Sequence, residues 1–287
     1  MTRPGRALVL GAGGYAAMSW EVGFLAGMAD AGSDPCGADL FVGTSAGAIV
    51  AAQITSGVSL DELFRRQLAP RGATESSAPV VDFRRWRDDL GRARSGGGPP
   101  TEVLRRIGSL ALAVPPGTPS DRAEVASLLP RHVWPEAQLL TVAVDVRTGE
   151  RRVFDRASGI DFVDAVTASG VVAGISQPVT FNGRGYMDGG FYSLTNADLA
   201  LGCDRVLVIS LPARVPPLSV VSLEVELEQL RAGHARVEVV HPDEATQAAF
   251  ASVGGNLLDP SVCEPGVRAG REQGRRITNE GLASFWQ

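Results

Sequence analysis

Gly43–Thr44–Ser45–Ala46–Gly47 (GTSAG) is the stretch of sequence that decides how this chain folds. It follows the apolar segment Leu40–Val42 and precedes a helix-like segment, Ala46–Ser56. A serine with glycine at both second neighbours, between a strand and a helix, is typical of a sharp turn that exposes a nucleophilic hydroxyl. The pattern therefore places Ser45 at a helix N-terminus, where N–H groups and the helix dipole stabilise developing negative charge.

A second glycine-rich turn lies near the start of the chain. Residues Ala7–Leu10 (ALVL) predict a short buried strand, and Gly11–Ala12–Gly13–Gly14 follows it directly. Met18–Ala31 then shows apolar residues at helical spacing. A strand, a glycine loop and a helix in succession direct backbone N–H groups at one place, so this loop is a candidate site for an anionic group.

A third feature lies far downstream, where Tyr186–Gly190 (YMDGG) places Asp188 before two glycines. Taken alone, an aspartate in this position favours a tight turn without any chemical role. Alongside the other two motifs, Asp188 becomes a candidate base. A serine hydroxyl needs one, because it is a weak nucleophile until a base accepts its proton.

The three motifs, in this order, resemble those of the patatin-like phospholipases, a family of serine acyl hydrolases. The resemblance runs from about Ala7 to Leu201 and includes the stretch Ala168–Val179 (ASGVVAGISQPV). It implies an α/β fold with three α/β/α layers around a central, mostly parallel sheet. It also implies cleavage of carboxylic ester bonds in lipids through an acyl-enzyme intermediate, with no cofactor and no metal.

The resemblance assigns roles residue by residue. It implies that Ser45 is the nucleophile and that Asp188 is its partner in a catalytic dyad. Backbone amides of Gly13, Gly14 and Tyr15 would form the oxyanion hole, the set of N–H donors that stabilises the tetrahedral intermediate. The motif glycines that support these residues are Gly11, Gly43, Gly47, Gly189 and Gly190.

The glycine loop departs from the family's pattern. That pattern usually reads Gly-Gly-Gly-x-Arg/Lys-Gly, whereas residues 12–17 read AGGYAA and lack the first glycine, the basic residue and the last glycine. Backbone donors need no particular side chain, so Gly13 and Gly14 can still serve. The missing cation nevertheless removes one source of positive potential. A second hypothesis therefore stays open: a catalytically weak or silent member of the family that binds lipid.

The three histidines offer an alternative base. Ser45, Asp188 and His241 follow the chain order of an α/β-hydrolase triad. Those enzymes normally place the serine after several strands, whereas here one strand–helix unit precedes it. We therefore expect His241 to be structural. His234, beside a glycine, is interpreted as a helix C-terminal cap, and His132 as a surface loop residue.

The glycine loop also fits a different class of site. Gly11-x-Gly13-x-x-Ala16 after a strand matches a dinucleotide-binding loop. That motif requires an acidic residue near the end of the second strand. Here the second strand ends in Phe41–Ser45 without an acid, and Asp39 lies at its opposite end. The sequence therefore disfavours a nucleotide cofactor.

Composition narrows the classes of partner. The chain has 287 residues, 44% of them hydrophobic, and a net charge of −5. It lacks the basic footprint of a nucleic-acid-binding protein, so we expect a lipid or acyl-ester substrate. Three cysteines without metal-ligand spacing favour a cytoplasmic setting. We expect transient contact with membrane surfaces, although no strong basic amphipathic anchor is visible. Leu40–Leu60 is uncharged but contains the serine turn, and we predict no transmembrane helix.

We expect residues 1–287 to form a single domain. The motif-bearing core covers about 7–201, and 203–287 completes the same fold. Residues 69–130 are expected to form a mobile cap over the site. The remaining predicted elements are a helix at Leu60–Leu68, a hairpin of Leu139–Val146 and Arg151–Phe154, a helix at Asp161–Ala168, strands at Arg205–Leu211 and Arg236–Val240, and helices at Ser219–Leu230 and Gly266–Leu282.

Within the cap region, Ala69–Pro100 is polar and rich in proline, glycine and arginine, and it predicts a surface excursion. Thr101–Val114 and Ser120–Leu129 predict helices. Four apolar residues of the first of these helices could form an acyl-binding wall, although core packing is the favoured interpretation. They are Leu104, Ile107, Leu110 and Leu112. Further on, we expect Asn196 to cap a helix that begins nearby.

Overall fold

One eight-stranded sheet organises the chain. The structure is a computed structural model that describes residues 5–69, 82–115, 121–212, 218–254 and 256–287. The strands are β1 (Arg6–Leu10), β2 (Leu40–Thr44), β3 (Gln138–Asp145), β4 (Arg151–Phe154), β5 (Val179–Phe181), β6 (Arg184–Asp188), β7 (Arg205–Ile209) and β8 (Arg236–Val240). The helices are α1 (Gly14–Asp30), α2 (Ala46–Ile54), α3 (Leu60–Leu68), α4 (Phe83–Ser95), α5 (Pro100–Leu112), α6 (Asp121–Leu128), α7 (Phe162–Gly170), α8 (Leu223–Ala232), α9 (Glu244–Ala251), α10 (Cys263–Ile277) and α11 (Ala283–Trp286).

The strand order is β5-β6-β3-β2-β1-β7-β8, with β4 paired to β3 off this path. The five strands from β3 to β8 in that order run parallel to one another. Strands β4, β5 and β6 form antiparallel pairs. Because the carboxyl ends of parallel strands share one edge of the sheet, the loops that follow β1 and β2 lie side by side.

Strand β1 shows why helices cover both faces of this sheet. Leu8 and Leu10 belong to a core cluster with residues of α1, α2 and α10. Ala7 and Val9 belong to a second cluster, which includes Leu230 of α8. Side chains alternate between the two faces of a strand, so a continuous apolar run such as ALVL is buried on both. The predicted three-layer α/β/α arrangement around a mostly parallel sheet is confirmed.

Helices α1 and α10 pack with their backbones almost in contact. A Cβ atom placed on Gly27 would lie 2.2 Å from the carbonyl oxygen of Arg271, and one on Gly274 would lie 2.1 Å from that of Phe24. Only glycine allows helix axes to approach this closely. The sequence predicted a helix at Gly266–Leu282 but not this contact, which fixes α1, the helix that the glycine loop opens.

The predicted surface excursion at Ala69–Pro100 is wrong for its second half. Residues 70–81 lie outside the described residues, but Phe83–Ser95 forms helix α4. Asp82 caps this helix, because its Oδ1 accepts hydrogen bonds from the backbone N–H groups of Arg84 and Arg85 at 3.1 and 3.0 Å. Polar composition hid the helical spacing of the apolar residues on its inner face.

The other predicted elements agree with the structure to within a few residues. The sequence did not predict the hairpin of β5 and β6, whose second strand ends at Asp188. After residue 201, β7 pairs with β1 and β8 pairs with β7. This part of the chain therefore extends the same sheet, while the single-domain organisation stays a prediction.

The tight packing of α2 against β1 can be tested at Gly47. A Cβ atom there would lie 2.1 Å from the carbonyl oxygen of Leu10. We expect Gly47→Ala to lower the free energy of unfolding by about 3 kcal/mol, since backbone must move to accommodate the methyl group. Chemical denaturation measures the change.

Gly91 in α4 is the matched control, because a Cβ atom there would meet nothing within 4 Å. We expect Gly91→Ala to raise the free energy of unfolding by about 0.5–1 kcal/mol through helix propensity. Equal stability of the Gly47→Ala variant and the wild-type protein would contradict the close approach of α2 to β1.

Candidate active site

Ser45 lies on the sharp turn between β2 and α2, where the sequence placed it. Its backbone has φ 56° and ψ −121°, a conformation that non-glycine residues rarely adopt. Its N–H donates to the hydroxyl oxygen of Ser169 at 2.9 Å. The side chain is 8% exposed. A rare backbone conformation held by a buried hydrogen bond is typical of functional turns.

Asp188 ends strand β6, and the structure brings it to Ser45 across the sheet. The Ser45 hydroxyl lies close enough to the Asp188 carboxylate to oppose the rise in its pKa. Oδ1 of Asp188 accepts the N–H of Gly190 at 2.6 Å, and the N–H of Asp188 donates to the carbonyl oxygen of Val171 at 2.8 Å. The two predicted dyad residues line the same cavity.

Burial raises the pKa of Asp188 from its ordinary value near 3.8 to about 7, although the hydrogen bonds from Ser45 and Gly190 oppose the increase. The side chain is 7% exposed. Desolvation disfavours the charged form of a carboxyl group. The result is a carboxylate with an affinity for protons close to that of a histidine.

The glycine loop after β1 lines the same cavity as Ser45 and Asp188. Gly13 precedes α1 with φ 155°, and Gly14 opens the helix with φ 61°. A Cβ atom on Gly13 would lie 2.5 Å from Cδ1 of Leu211. No side chain caps α1, and the first N–H groups of a helix have no partner within the helix itself. Gly13, Gly14 and Tyr15 line the same cavity as Ser45.

A buried carboxyl group supports this loop from behind. Oε1 of Glu21 accepts the N–H of Gly11 at 2.9 Å, and the same N–H donates to the carbonyl oxygen of Ile209 at 3.0 Å. Burial raises the pKa of Glu21 well above its ordinary value. Glu21 could not be identified from the sequence, because a glutamate inside an apolar helix gives no local indication that its partner is the N–H of Gly11.

The other motif glycines lie where backbones approach closely. A Cβ atom on Gly43 would meet Cα of Ala48 at 2.5 Å, and one on Gly189 would meet the carbonyl oxygen of Val142 at 2.4 Å. A Cβ atom on Gly190 would lie 3.1 Å from the Cβ atom of Ala12. The last of these contacts places the Asp188 turn against the glycine loop.

Ser45 and Asp188 open into a cavity of about 900 Å³. Helices α4 and α6, from the predicted cap region, form part of its wall. The apolar lining includes Met18, Ile49, Trp86, Val172, Ile175 and Leu257. Polar lining groups include Tyr15, Arg87, Asp121, Glu124 and Ser176. A large apolar cavity with a few convergent polar groups is the usual form of a small-molecule site.

Tyr15, at the variable position of the glycine loop, contacts the cap, and Ala16 takes the place of the family's basic residue. The Tyr15 hydroxyl donates to Oε1 of Glu124 in α6. Tyr15 and Met18 line the cavity, whereas Trp20 is buried elsewhere and its indole N–H donates to Gln273 at 2.8 Å.

The histidines lie apart from this cavity. Nδ1 of His241 lies 2.7 Å from the carbonyl oxygen of Ser210, and the ring lines a different cavity beside β8. His234 has φ 66° and its N–H donates to the carbonyl oxygen of Arg231, so it ends α8 as predicted. Nε2 of His132 lies 2.9 Å from the carbonyl oxygen of Ala126 on the surface.

The candidate acyl-binding wall is not part of the cavity lining. Leu104 and Ile107 are fully buried in a core cluster beneath α5, and Leu112 is exposed. This agrees with the favoured interpretation of core packing. The acyl-sized space is lined instead by residues of α1, α2, α4 and the loops around residues 172 and 257.

The predicted capping role of Asn196 is wrong. Its side chain makes no cap hydrogen bond. It donates instead to Oγ1 of Thr44 at 3.0 Å and to the carbonyl oxygen of Ser193 at 2.8 Å. Asn196 therefore braces the residue that precedes Ser45. Ser169 was also missed, although it lies within the stretch Ala168–Val179 that carried part of the resemblance.

The fold and the site geometry define an α/β protein with a serine turn beside a glycine loop. A family model described as patatin-like phospholipase matches residues 8–201, and the chain belongs to that family. Membership supports lipid hydrolase activity and implies lipid substrates. No curated protein matches the chain significantly.

Solved structures share the fold at low sequence identity. Human GIVD cytosolic phospholipase A2 is 12% identical with a TM-score of 0.50, over 98% of this chain and 60% of the human protein. VipD from Legionella pneumophila is 11% identical with a TM-score of 0.45, over 97% of this chain and 67% of VipD. This chain therefore spans 60% of the human protein's length, and the likeness concerns the fold alone.

Two absences can be stated for the part of the chain that the structure describes. None of its helices combines the length and apolar character needed to cross a membrane. In the same residues, no group of three or more histidine, cysteine, aspartate or glutamate side chains is arranged to hold a metal ion.

The buried Asp188 carboxyl makes stability depend on pH. Its folded-state pKa of about 7 lies above the unfolded value of about 3.9. The stability that Asp188 contributes is therefore present at low pH and is lost as the pH rises through 7, by at most about 4 kcal/mol. We expect Asp188→Asn to flatten this decline, measured as melting temperature against pH. Parallel curves for the two proteins would contradict the raised pKa.

Proposed function

We propose that this protein is a serine hydrolase that cleaves carboxylic ester bonds of lipids, with Ser45 as nucleophile and Asp188 as general base. The observation that carries the proposal is the proximity of the Ser45 hydroxyl to the Asp188 carboxylate, both of which line one largely apolar cavity. A nucleophile within hydrogen-bond reach of its base is the expected signature of covalent catalysis.

The reaction follows from this pair. Asp188 accepts the proton of the Ser45 hydroxyl as the oxygen attacks the ester carbonyl carbon. The tetrahedral intermediate then collapses, the C–O bond to the leaving alcohol breaks, and Asp188 returns the proton to that alcohol. Water attacks the acyl-enzyme in the same way, with Asp188 as base, and releases the fatty acid and free Ser45.

Backbone amides of Gly13, Gly14 and Tyr15 stabilise the oxyanion in this proposal. They border the cavity beside Ser45 at the N-terminus of α1, where the helix dipole adds to the N–H groups. Each such donor is typically worth about 2.7–4 kcal/mol in the transition state. Because backbone groups supply the donors, Ala16 in place of a basic residue is compatible with catalysis.

A lipid substrate fits the cavity. A volume of about 900 Å³ with a largely apolar lining can take an acyl chain. The raised pKa of Asp188 fits the proposed role, because a base works best when its pKa lies near the working pH. A carboxylate at its ordinary pKa would be a much weaker proton acceptor for a serine hydroxyl.

Removal of either dyad residue tests the proposal. We expect Ser45→Ala to abolish labelling by a fluorophosphonate probe and all ester turnover. Asp188→Asn should lower kcat by about 10²–10⁴-fold, because an amide cannot accept the proton. Turnover of short-chain and long-chain esters measures both effects.

His241→Ala is the matched control, and we expect it to retain activity because His241 lies outside the cavity. Full activity of Asp188→Asn would remove aspartate from the mechanism. Loss of activity in His241→Ala alone would favour the α/β-hydrolase alternative. A wild-type protein that binds lipid but neither labels nor turns over would support the silent-member hypothesis.

Activity should also depend on pH. Asp188 must be deprotonated to act as base, and its pKa is raised to about 7. We therefore expect kcat/KM for a soluble ester to rise with pH and to reach half its maximum near pH 7. A profile that is already flat at pH 5 would show that the base titrates at an ordinary carboxylate pKa.

A further inference from the structure

The first turns of helix α4 lie at the mouth of the cavity. Phe83, Trp86 and Arg87 line the cavity, and the rings of Phe83 and Trp86 meet edge-to-face with centroids 6.4 Å apart. Arg84 and Arg85 lie between these residues in sequence and are exposed. An aromatic pair and Arg87 therefore line the opening, and two further exposed arginines lie on the same helical turn.

This helix is basic although the chain as a whole carries a net charge of −5. Phe83–Ser95 contains five arginines and two aspartates. Two of the arginines serve the fold, since Arg92 pairs with Asp89 and Arg94 donates to two backbone carbonyl oxygens at 2.7 and 2.9 Å. The other three make weaker contacts, since Arg87 donates to the carbonyl oxygen of Phe83 at 3.3 Å and Arg85 lies 4.0 Å from Asp89.

Within the described residues, neither Arg84 nor Arg87 forms an ion pair. The ion pair of Arg85 with Asp89 is long, at 4.0 Å. These three guanidinium groups therefore keep most of their charge available to a partner. The carboxylates at the same opening do not pair with these arginines. Glu124 accepts a hydrogen bond from the hydroxyl of Tyr15, and the partner of Asp121 is Ser176.

Helix stability does not explain these positions. The first turn of α4 contains no acidic residue, although the positive end of the helix dipole favours acids there and disfavours arginine. Residues that oppose a local stability rule at the edge of a site are commonly placed there for function.

The opposite rim of the cavity is apolar. Leu257 and Leu258 both line it, and Leu258 is 36% exposed. Apolar side chains beside arginines form the pattern of a surface that lies in the interface of an anionic bilayer, with the apolar groups in the acyl region and the charges at the phosphates.

We propose that the opening docks on an anionic lipid surface through a rim made of Phe83–Arg87 on one side and Leu257–Leu258 on the other. The inference rests on the proposed function, because it gives the cavity direct access to its lipid substrate. No basic amphipathic anchor was predicted from the sequence, because Ala69–Pro100 was interpreted as a surface excursion and helix α4 was not recognised.

Binding is measured apart from catalysis by the use of full-length protein carrying Ser45→Ala. This protein is sedimented with vesicles of phosphatidylcholine alone, or of phosphatidylcholine mixed with phosphatidylserine. We expect tighter binding to the mixed vesicles. Addition of Arg84→Gln and Arg85→Gln should weaken that binding by about fivefold for each arginine removed, and added salt should weaken it further.

Arg268→Gln with Arg275→Gln is the matched control. Both arginines lie on α10, pair with Glu264 and Glu272 respectively and are outside the cavity lining, and the change in net charge is the same. We expect this variant to bind vesicles like the parent protein. In protein with Ser45 intact, Arg84→Gln with Arg85→Gln should hydrolyse a water-soluble short-chain ester at the wild-type rate, which shows that the fold is retained.

The outcomes separate docking from catalysis. Equal binding to the two kinds of vesicle, binding to neither kind, or equal loss in the α4 and α10 variants would each overturn the docking proposal. Failure of the wild-type protein to hydrolyse the soluble ester would overturn the proposed function instead, whatever the vesicle measurements show. Selective loss in the α4 variant supports docking.

Discussion

The contact between the serine turn and the glycine loop is the constraint on which the rest of the site depends. The N–H of Gly47 donates to the carbonyl oxygen of Gly11 at 3.1 Å, and a Cβ atom on Gly47 would lie 2.1 Å from the carbonyl oxygen of Leu10. The first turn of α2 therefore rests directly on the end of β1. This contact sets the distance between Ser45 and the amides that face it, which is the quantity that oxyanion stabilisation requires.

Around that contact the fold buries carboxyl groups that an apolar core would not tolerate without partners. Burial raises the pKa of Glu21, Asp188 and Glu226. Each accepts a hydrogen bond: Glu21 from the N–H of Gly11 in the glycine loop, Asp188 from the N–H of Gly190, and Glu226 from the hydroxyl of Thr195 at 2.5 Å. Burial of these carboxyl groups lowers folding stability but holds the groups in position, a trade-off that is common in active sites.

Sequence alone located the parts of the site that have a local signal. Turn chemistry placed Ser45 on a sharp turn, and the family resemblance implied that Asp188 would lie beside it; both residues line one cavity, while their catalytic roles stay a prediction. What escaped prediction depends on contacts between distant residues. Ser169 is recognisable only through the N–H of Ser45 that it accepts. Asn196 was interpreted as a cap because that role is local, whereas its bond to Thr44 spans 152 positions.

Tyr15 shows how the altered glycine loop can remain compatible with a working site. The position of the family's basic residue is taken by Ala16, which is buried, so the loop lacks that source of positive potential. A neutral tyrosine satisfies Glu124 through one hydrogen bond and leaves the amides as the source of oxyanion stabilisation. The same bond joins the start of α1 to cap helix α6. Because α10 in turn holds α1 through close backbone contact, this bond connects α6 to the pair of helices that follows the glycine loop.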